Sequence, residues 1–210
     1  SYRDPRAWAD SIDKMRALKP TVLVPSHTRP LVGEALIAQT LTDYRDAIRY
    51  VYDQTLRLIN QGYTPDEIAS RIKLPPHLAA SPWLREFYGT PQWSARNIFT
   101  GNLGWFDGNP SNLRPLPPDE TAWRIVELAG GIDALAHQID AAAQAGEHQW
   151  VLQLTDYLLR VQPDHVGARQ ARIAALRALG GREANPNARH WYLTVAGELA
   201  GEFVLPKRML

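Results

Sequence analysis

The sequence predicts a mainly α-helical chain, with a helical hairpin of the tetratricopeptide (TPR) style in its second half and a small α/β portion at its start. Three observations carry that reading. From Val32 to Asn60, apolar residues recur at three- and four-residue steps. A capping residue precedes proline at Asp4-Pro5, Thr64-Pro65, Ser81-Pro82, Thr90-Pro91 and Asn185-Pro186, the signature of a helix start. Only one run, Thr21-Val22-Leu23-Val24, reads as a buried strand.

The elements follow in chain order. Residues 5–18 form an amphipathic helix capped by Asp4, with Trp8, Ile12, Met15 and Leu18 on one stripe. Pro20 stops it, and the strand at 21–24 ends at Pro25, leaving His27 in the loop beyond. In the long helix, Ile37, Leu41, Tyr44, Ile48, Val51, Tyr52, Leu56 and Ile59 share a face, with Arg45, Arg49, Asp53 and Arg57 off it. A helix of that length, ended by Gly62, is expected to cross a subunit boundary or form a hairpin arm. Thr64 to Glu67 is a capping box that opens a short helix with Ile68 and Ile72 inward.

Residues 81–110 gather Trp83, Phe87, Tyr88, Trp93, Phe99, Trp105 and Phe106. The spacing predicts a short helix from Pro82 to near Gly89, a second from Pro91 to about Gly101, and a tight turn at Asp107-Gly108-Asn109-Pro110. So much aromatic surface beside chain-reversing glycines reads either as a core elbow or as a pocket wall or subunit contact. Three prolines between Arg114 and Pro118 mark a boundary. Beyond it, helices are expected from Asp119 to Gly130, from Asp133 to Gly146, over 147–161 and over 164–179. The span from Gly146 to Gly180 is that of one TPR unit, and Asn185 caps a last helix that Gly201 ends.

Composition narrows the function classes. A net charge of +1 with 21% charged residues lacks the basic excess of a nucleic-acid binder. The absence of cysteine rules out disulfides and thiolate metal sites within the sequence. No apolar run approaches the length of a membrane span, so no membrane insertion is expected. The sequence begins without methionine and reads as a fragment or processed piece of a longer protein. Six histidines, at 27, 77, 137, 148, 165 and 190, show no three- or four-residue pairing and no HxH or HExxH pattern. No nucleophile elbow and no glycine-rich phosphate loop is present. On residues alone, His27 reads as a structural or polar loop residue, Arg29 and Arg96 read as surface groups, and His77 reads equally as facing a pocket or as part of a capped exposed turn.

Three segments change that picture by resemblance. TVLVPSHTRPLVG, then KLPPHLAASPWLREFYGTPQWSARNIFTGNLGWFDGNP, then NPNARHWYLT are similar, in this order, to segments of the zinc-dependent alkyl sulfatases of the metallo-β-lactamase superfamily. The resemblance implies that residues 1–33 are the C-terminal edge of the catalytic domain, a remnant of its α/β fold. Residues 34–201 would be the alkyl sulfatase dimerisation domain, with a long helix and aromatic elbow at 34–115 and TPR-like helices at 118–201. Residues 202–210 would be a tail or truncated linker.

It implies hydrolysis of alkyl sulfate esters to alcohol and sulfate by an intact parent, which would be periplasmic or secreted. The histidine of the PSH segment, His27, would ligate a zinc. Two zincs per subunit are expected in the parent and none in this segment alone, because the HxHxDH motif has no counterpart here. Tyr88, Arg96 and Phe99 would line the substrate site. Relatives of the family carry a tyrosine near position 99 and a polar residue near position 93, where this sequence has Phe99 and Trp93. Those departures leave the catalytic residues unknown. A homodimer is expected, and the competing reading is a non-enzymatic helical interaction module.

Overall fold

The computed structural model describes residues 3–204. Their packing forms two compact units that part between Leu113 and Arg114. Among the described residues the only sheet is a two-stranded hairpin, and the rest of the regular structure is helical.

The first unit opens with α1 (Pro5–Ala17), where Asp4 accepts the backbone N–H groups of Arg6 and Ala7. Only Ala9 and Ile12 of this helix are buried. Trp8, Met15 and Leu18, expected on the inner stripe, stay exposed, because the Ala9–Ile12 face is the one turned inward. β1 (Val22–Leu23) pairs antiparallel with β2 (Leu31–Val32), Val22 opposite Val32. The expected buried strand is corrected here: Val22 is 53% exposed. A two-residue ladder shields one side only, so Leu31 and Leu23 face the core and the valines face out.

α2 (Glu34–Asn60) starts after Gly33, whose φ of 110° lies in the region that favours glycine. Its inner stripe divides between two cores. Ile37 and Leu41 pack with Ile12, Leu31, Ile48 and Trp83. Val51, Tyr52 and Leu58 pack with Ile68, Ile72, Ala95, Ile98 and Phe99. Within its own unit the long helix buries Ile37, Leu41, Val51 and Tyr52 of its stripe, half-buries Ile48, Leu56 and Ile59, and leaves Tyr44 exposed. The reason for this burial is that α1 precedes it and α5 returns across it, which the short helices at 64–80 alone could not match. Each aliphatic side chain buried this way contributes about 1.5–3 kcal/mol.

α3 (Pro65–Arg71) carries the reciprocal capping box of Thr64 and Glu67, followed by the single turn of α4 (Pro76–Ala79). The helix expected from Pro82 to Gly89 is a single 3-10 turn, Pro82–Leu84. Ser81 does not cap it; its hydroxyl donates instead to Asp43 on α2 at 2.7 Å. α5 (Pro91–Leu103) starts at Thr90, which accepts the Trp93 N–H, and ends at Gly104 with φ 83°. Asp107 then closes the tight turn by accepting the Asn109 N–H and the Asn112 side-chain amide.

The second unit contains α6 (Pro118–Leu128), α7 (Ile132–Gln144), α8 (His148–Val161), α9 (Val166–Arg182) and α10 (Pro186–Ala200). α8 and α9 form the hairpin, with α6 and α7 against α8 and α10 against α9. Their shared core holds Val126, Leu135, Ile139, Val151, Leu154, Leu158 and Leu176. Arg172 fastens the hairpin, donating to the Leu152 carbonyl and the Thr155 hydroxyl and pairing with Asp156. The start of α9 also departs from the sequence reading. It begins at Val166, not at 164, with His165 as the cap, its Nδ1 accepting the Ala168 N–H at 3.1 Å.

Candidate functional site

The hairpin loop and the aromatic stretch meet at one place. Between β1 and β2 the chain turns through Ser26 to Thr28 and leaves the His27 imidazole exposed at the loop tip. Between the 3-10 turn and α5, residues 85–89 run without regular structure and present Tyr88. The two rings stack, centroids 5.6 Å apart and planes 21° from parallel. Tyr88 keeps 65% of its surface open.

The segment that carries Tyr88 is fastened at both ends. On one side Ser81 is bound to Asp43, and Trp83 packs on the Ile12–Leu31–Ile37–Leu41 core. On the other, Thr90 caps α5. Within the segment, the Phe87 N–H donates to the Arg85 carbonyl at 2.7 Å and the Arg85 guanidinium lies 5.1 Å from the Phe87 ring centre.

The other residues predicted for the site are engaged within the helical part of the first unit. Phe99 is 4% exposed and packs in the α2–α3–α5 core with Ile68 and Ile98, so its ring offers nothing to a ligand in this structure. Arg96 donates from Nε to Asp66 on α3 at 2.8 Å, an exposed ion pair that holds the guanidinium against its own unit. His77 is exposed on the single turn of α4.

Sequence reasoning missed Ser81 and Asp43, the pair that anchors the Tyr88 segment. A serine before proline is the commonest cap signal, and nothing in the sequence marks a partner 38 positions away.

A zinc centre needs about three protein ligands. The imidazole of His27 is a suitable donor, yet no group of three or more His, Asp or Glu side chains among the described residues could hold a metal ion. The described residues therefore do not fit a zinc centre by themselves. No helix among them is long and apolar enough to cross a membrane.

The surface elsewhere is rich in aromatic groups. Six of the seven tryptophans, Trp8, Trp93, Trp105, Trp123, Trp150 and Trp191, are exposed, against the usual high burial of this residue.

Comparison with known proteins shows the family of the chain. A family model described as alkyl sulfatase dimerisation matches residues 64–202. A linear primary-alkylsulfatase of a Pseudomonas species is 45% identical over 202 residues, which are 96% of this chain and 38% of that protein. The alkyl/aryl-sulfatase BDS1 of Saccharomyces cerevisiae is 37% identical, over 94% of this chain and 31% of its own. The solved structure of the stereoselective inverting sec-alkylsulfatase Pisa1 from a Pseudomonas species superposes with a TM-score of 0.92 at 35% identity. That match covers 98% of this chain and 33% of the other. The chain thus spans about a third of the length of the relatives it matches.

Proposed function

The chain belongs to the alkyl sulfatase dimerisation family, and on that premise we propose that it pairs two copies of an alkyl sulfatase and lends each copy one edge of the active site. The observation that carries the pairing role is the match of residues 64–202 to the dimerisation model, beside which exposed tryptophans are present on each unit. Burying a large side chain stabilises by about 1.5–3 kcal/mol. Several buried at once offset an association cost of roughly 4–15 kcal/mol. Twofold pairing is also the commonest way for a chain to cover such a surface with itself.

The edge lent to the active site is the stacked pair of His27 and Tyr88. In this reading the whole protein hydrolyses alkyl sulfate esters to alcohol and sulfate. It would belong to the metallo-β-lactamase superfamily, hold two zincs per subunit, and take one nitrogen ligand from His27. Arg96 and Phe99 are left out of the proposed site because of where their side chains are engaged.

The reading is tested in the intact sulfatase that carries this chain. His27→Ala is expected to lower zinc content and release of sulfate from a linear alkyl sulfate together. Full activity with full zinc in that variant overturns the assignment of His27. The competing module reading, a helical protein that binds other proteins without catalysis, predicts no sulfate release from any intact form.

A further inference from the structure

The stack between His27 and Tyr88 joins two segments of different stiffness. His27 sits on a loop held by a two-residue ladder, closed by one further bond from the Gly33 N–H to the Thr21 carbonyl. Such a loop fixes its backbone ends and leaves the direction of the imidazole plane to whatever touches the ring. Tyr88 belongs to a segment tied to the unit's core at its start by Ser81 and Trp83, and continued at its end into α5, which Thr90 caps. Aromatic rings at this separation attract each other in offset stacking, and the two ring faces make this contact.

We infer that Tyr88 is a positioning residue, whose ring holds the imidazole of His27 in the orientation the intact enzyme uses. The inference rests on the reading that His27 serves the sulfatase active site. It gives the 81–90 segment a second role beside its place in the helical unit. The anchorage of Ser81 on Asp43 sets where the Tyr88 ring lies, and the ring sets the plane of His27. A geometric displacement of about 1 Å in a reacting group costs on the order of a hundred-fold in rate. The stack is a means of preventing that.

Two readouts test it. In this chain, with carbon-13-labelled imidazoles, the His27 Cε1–H resonance carries the ring-current shift of the tyrosine. Tyr88→Leu is expected to move that resonance towards the value of an unstacked histidine, and Tyr88→Phe to hold it. In the intact sulfatase, Tyr88→Leu is expected to lower kcat on the order of ten-fold to a hundred-fold with KM little changed, and Tyr88→Phe to rescue it.

An unmoved resonance in Tyr88→Leu overturns the stack. Loss of kcat in Tyr88→Phe equal to that in Tyr88→Leu shows that the hydroxyl matters, and overturns positioning by the ring. An inactive His27→Ala beside a fully active Tyr88→Leu overturns this inference alone. A fully active His27→Ala overturns the underlying reading and this inference with it.

Discussion

Ser81 donates its hydroxyl to Asp43 at 2.7 Å, tying the start of the aromatic segment to the middle of the longest helix. Asp43 also accepts the Gln39 amide, so each of its carboxylate oxygens has a partner. Ser81 is buried, and hydrogen bonds to charged groups contribute about 1.5–3 kcal/mol. Ser81→Ala is expected to destabilise the first unit by that amount in denaturant titration. A change below about 0.5 kcal/mol, the scale of ordinary surface substitutions, would show that the bond is not an anchor.

Asp13 offers a test by pH. Hydrogen bonds from Arg45 on α2 and from Arg16 on its own helix hold its carboxyl at about 2, below the ordinary 3.8. A lowered pKa in the folded state gives stability that is fully present above 3.8 and lost as pH falls through about 2. The α1–α2 junction, which also includes Arg49 bonded to Asp10 and Asp13, is expected to weaken over that window. Stability measured from pH 5 to pH 2 should fall more steeply in the unmodified chain than in Asp13→Asn. Parallel curves would show that the ion-pair cluster contributes nothing, as exposed clusters in high salt do.

Two neighbouring glycines in α9 should respond in opposite directions. A Cβ on Gly180 would lie 2.8 Å from Leu193 Cδ2 and 3.2 Å from Tyr192 Cβ, both on α10. Overpacking of this kind costs about 1–3 kcal/mol, which outweighs the helix preference for alanine of about 1 kcal/mol. Gly181 has nothing within 4 Å of the same position. Thermal melts are expected to rank Gly181→Ala at or above the unmodified chain and Gly180→Ala below it. The reverse order would contradict the close crossing of α9 and α10.

His165 caps α9 through a ring nitrogen, a task that aspartate performs with a charge suited to the helix N-terminus. His165→Asp is expected to stabilise the second unit by roughly 0.5–1 kcal/mol, and His165→Ala to cost about 1 kcal/mol. Equal stability of all three would remove the cap.

Much of the fold was legible because helix starts are written locally. Asp4, Thr64, Thr90 and Asn185 cap where the sequence places them, since cap and proline lie within one turn of each other. Ser81 carries the same signal and does otherwise, because a carboxylate on α2 outcompetes the few backbone donors of so short a turn. The stripe of α2 was legible as a stripe, but what covers each part was not, since α1 and α5 come from opposite sides in sequence. The candidate site was legible in part. His27 and Tyr88 are 61 positions apart, and only the hairpin loop and the anchored segment bring their rings together. Arg96 has the charge for a sulfate group and Phe99 the apolar surface for an alkyl chain, but helix phase turns one to Asp66 and the other into the core.

Charge placed on the exposed aromatic surface tests pairing without disturbing a core. Trp105 is 71% exposed. Trp105→Glu is expected to weaken self-association while leaving helical content and melting temperature of the unit nearly unchanged. Ile48 and Leu56 are unsuitable for this purpose, because each packs against an intrachain core and a charge there would unfold it. Unaltered association in Trp105→Glu would move the pairing surface to another of the exposed tryptophans.

The pairing of two copies is tested most directly by sedimentation equilibrium of the unmodified chain at micromolar concentration. The predicted result is a single species of twice the 23.6 kDa chain mass, persisting on dilution. A well-folded species of 23.6 kDa at the same concentration would contradict it.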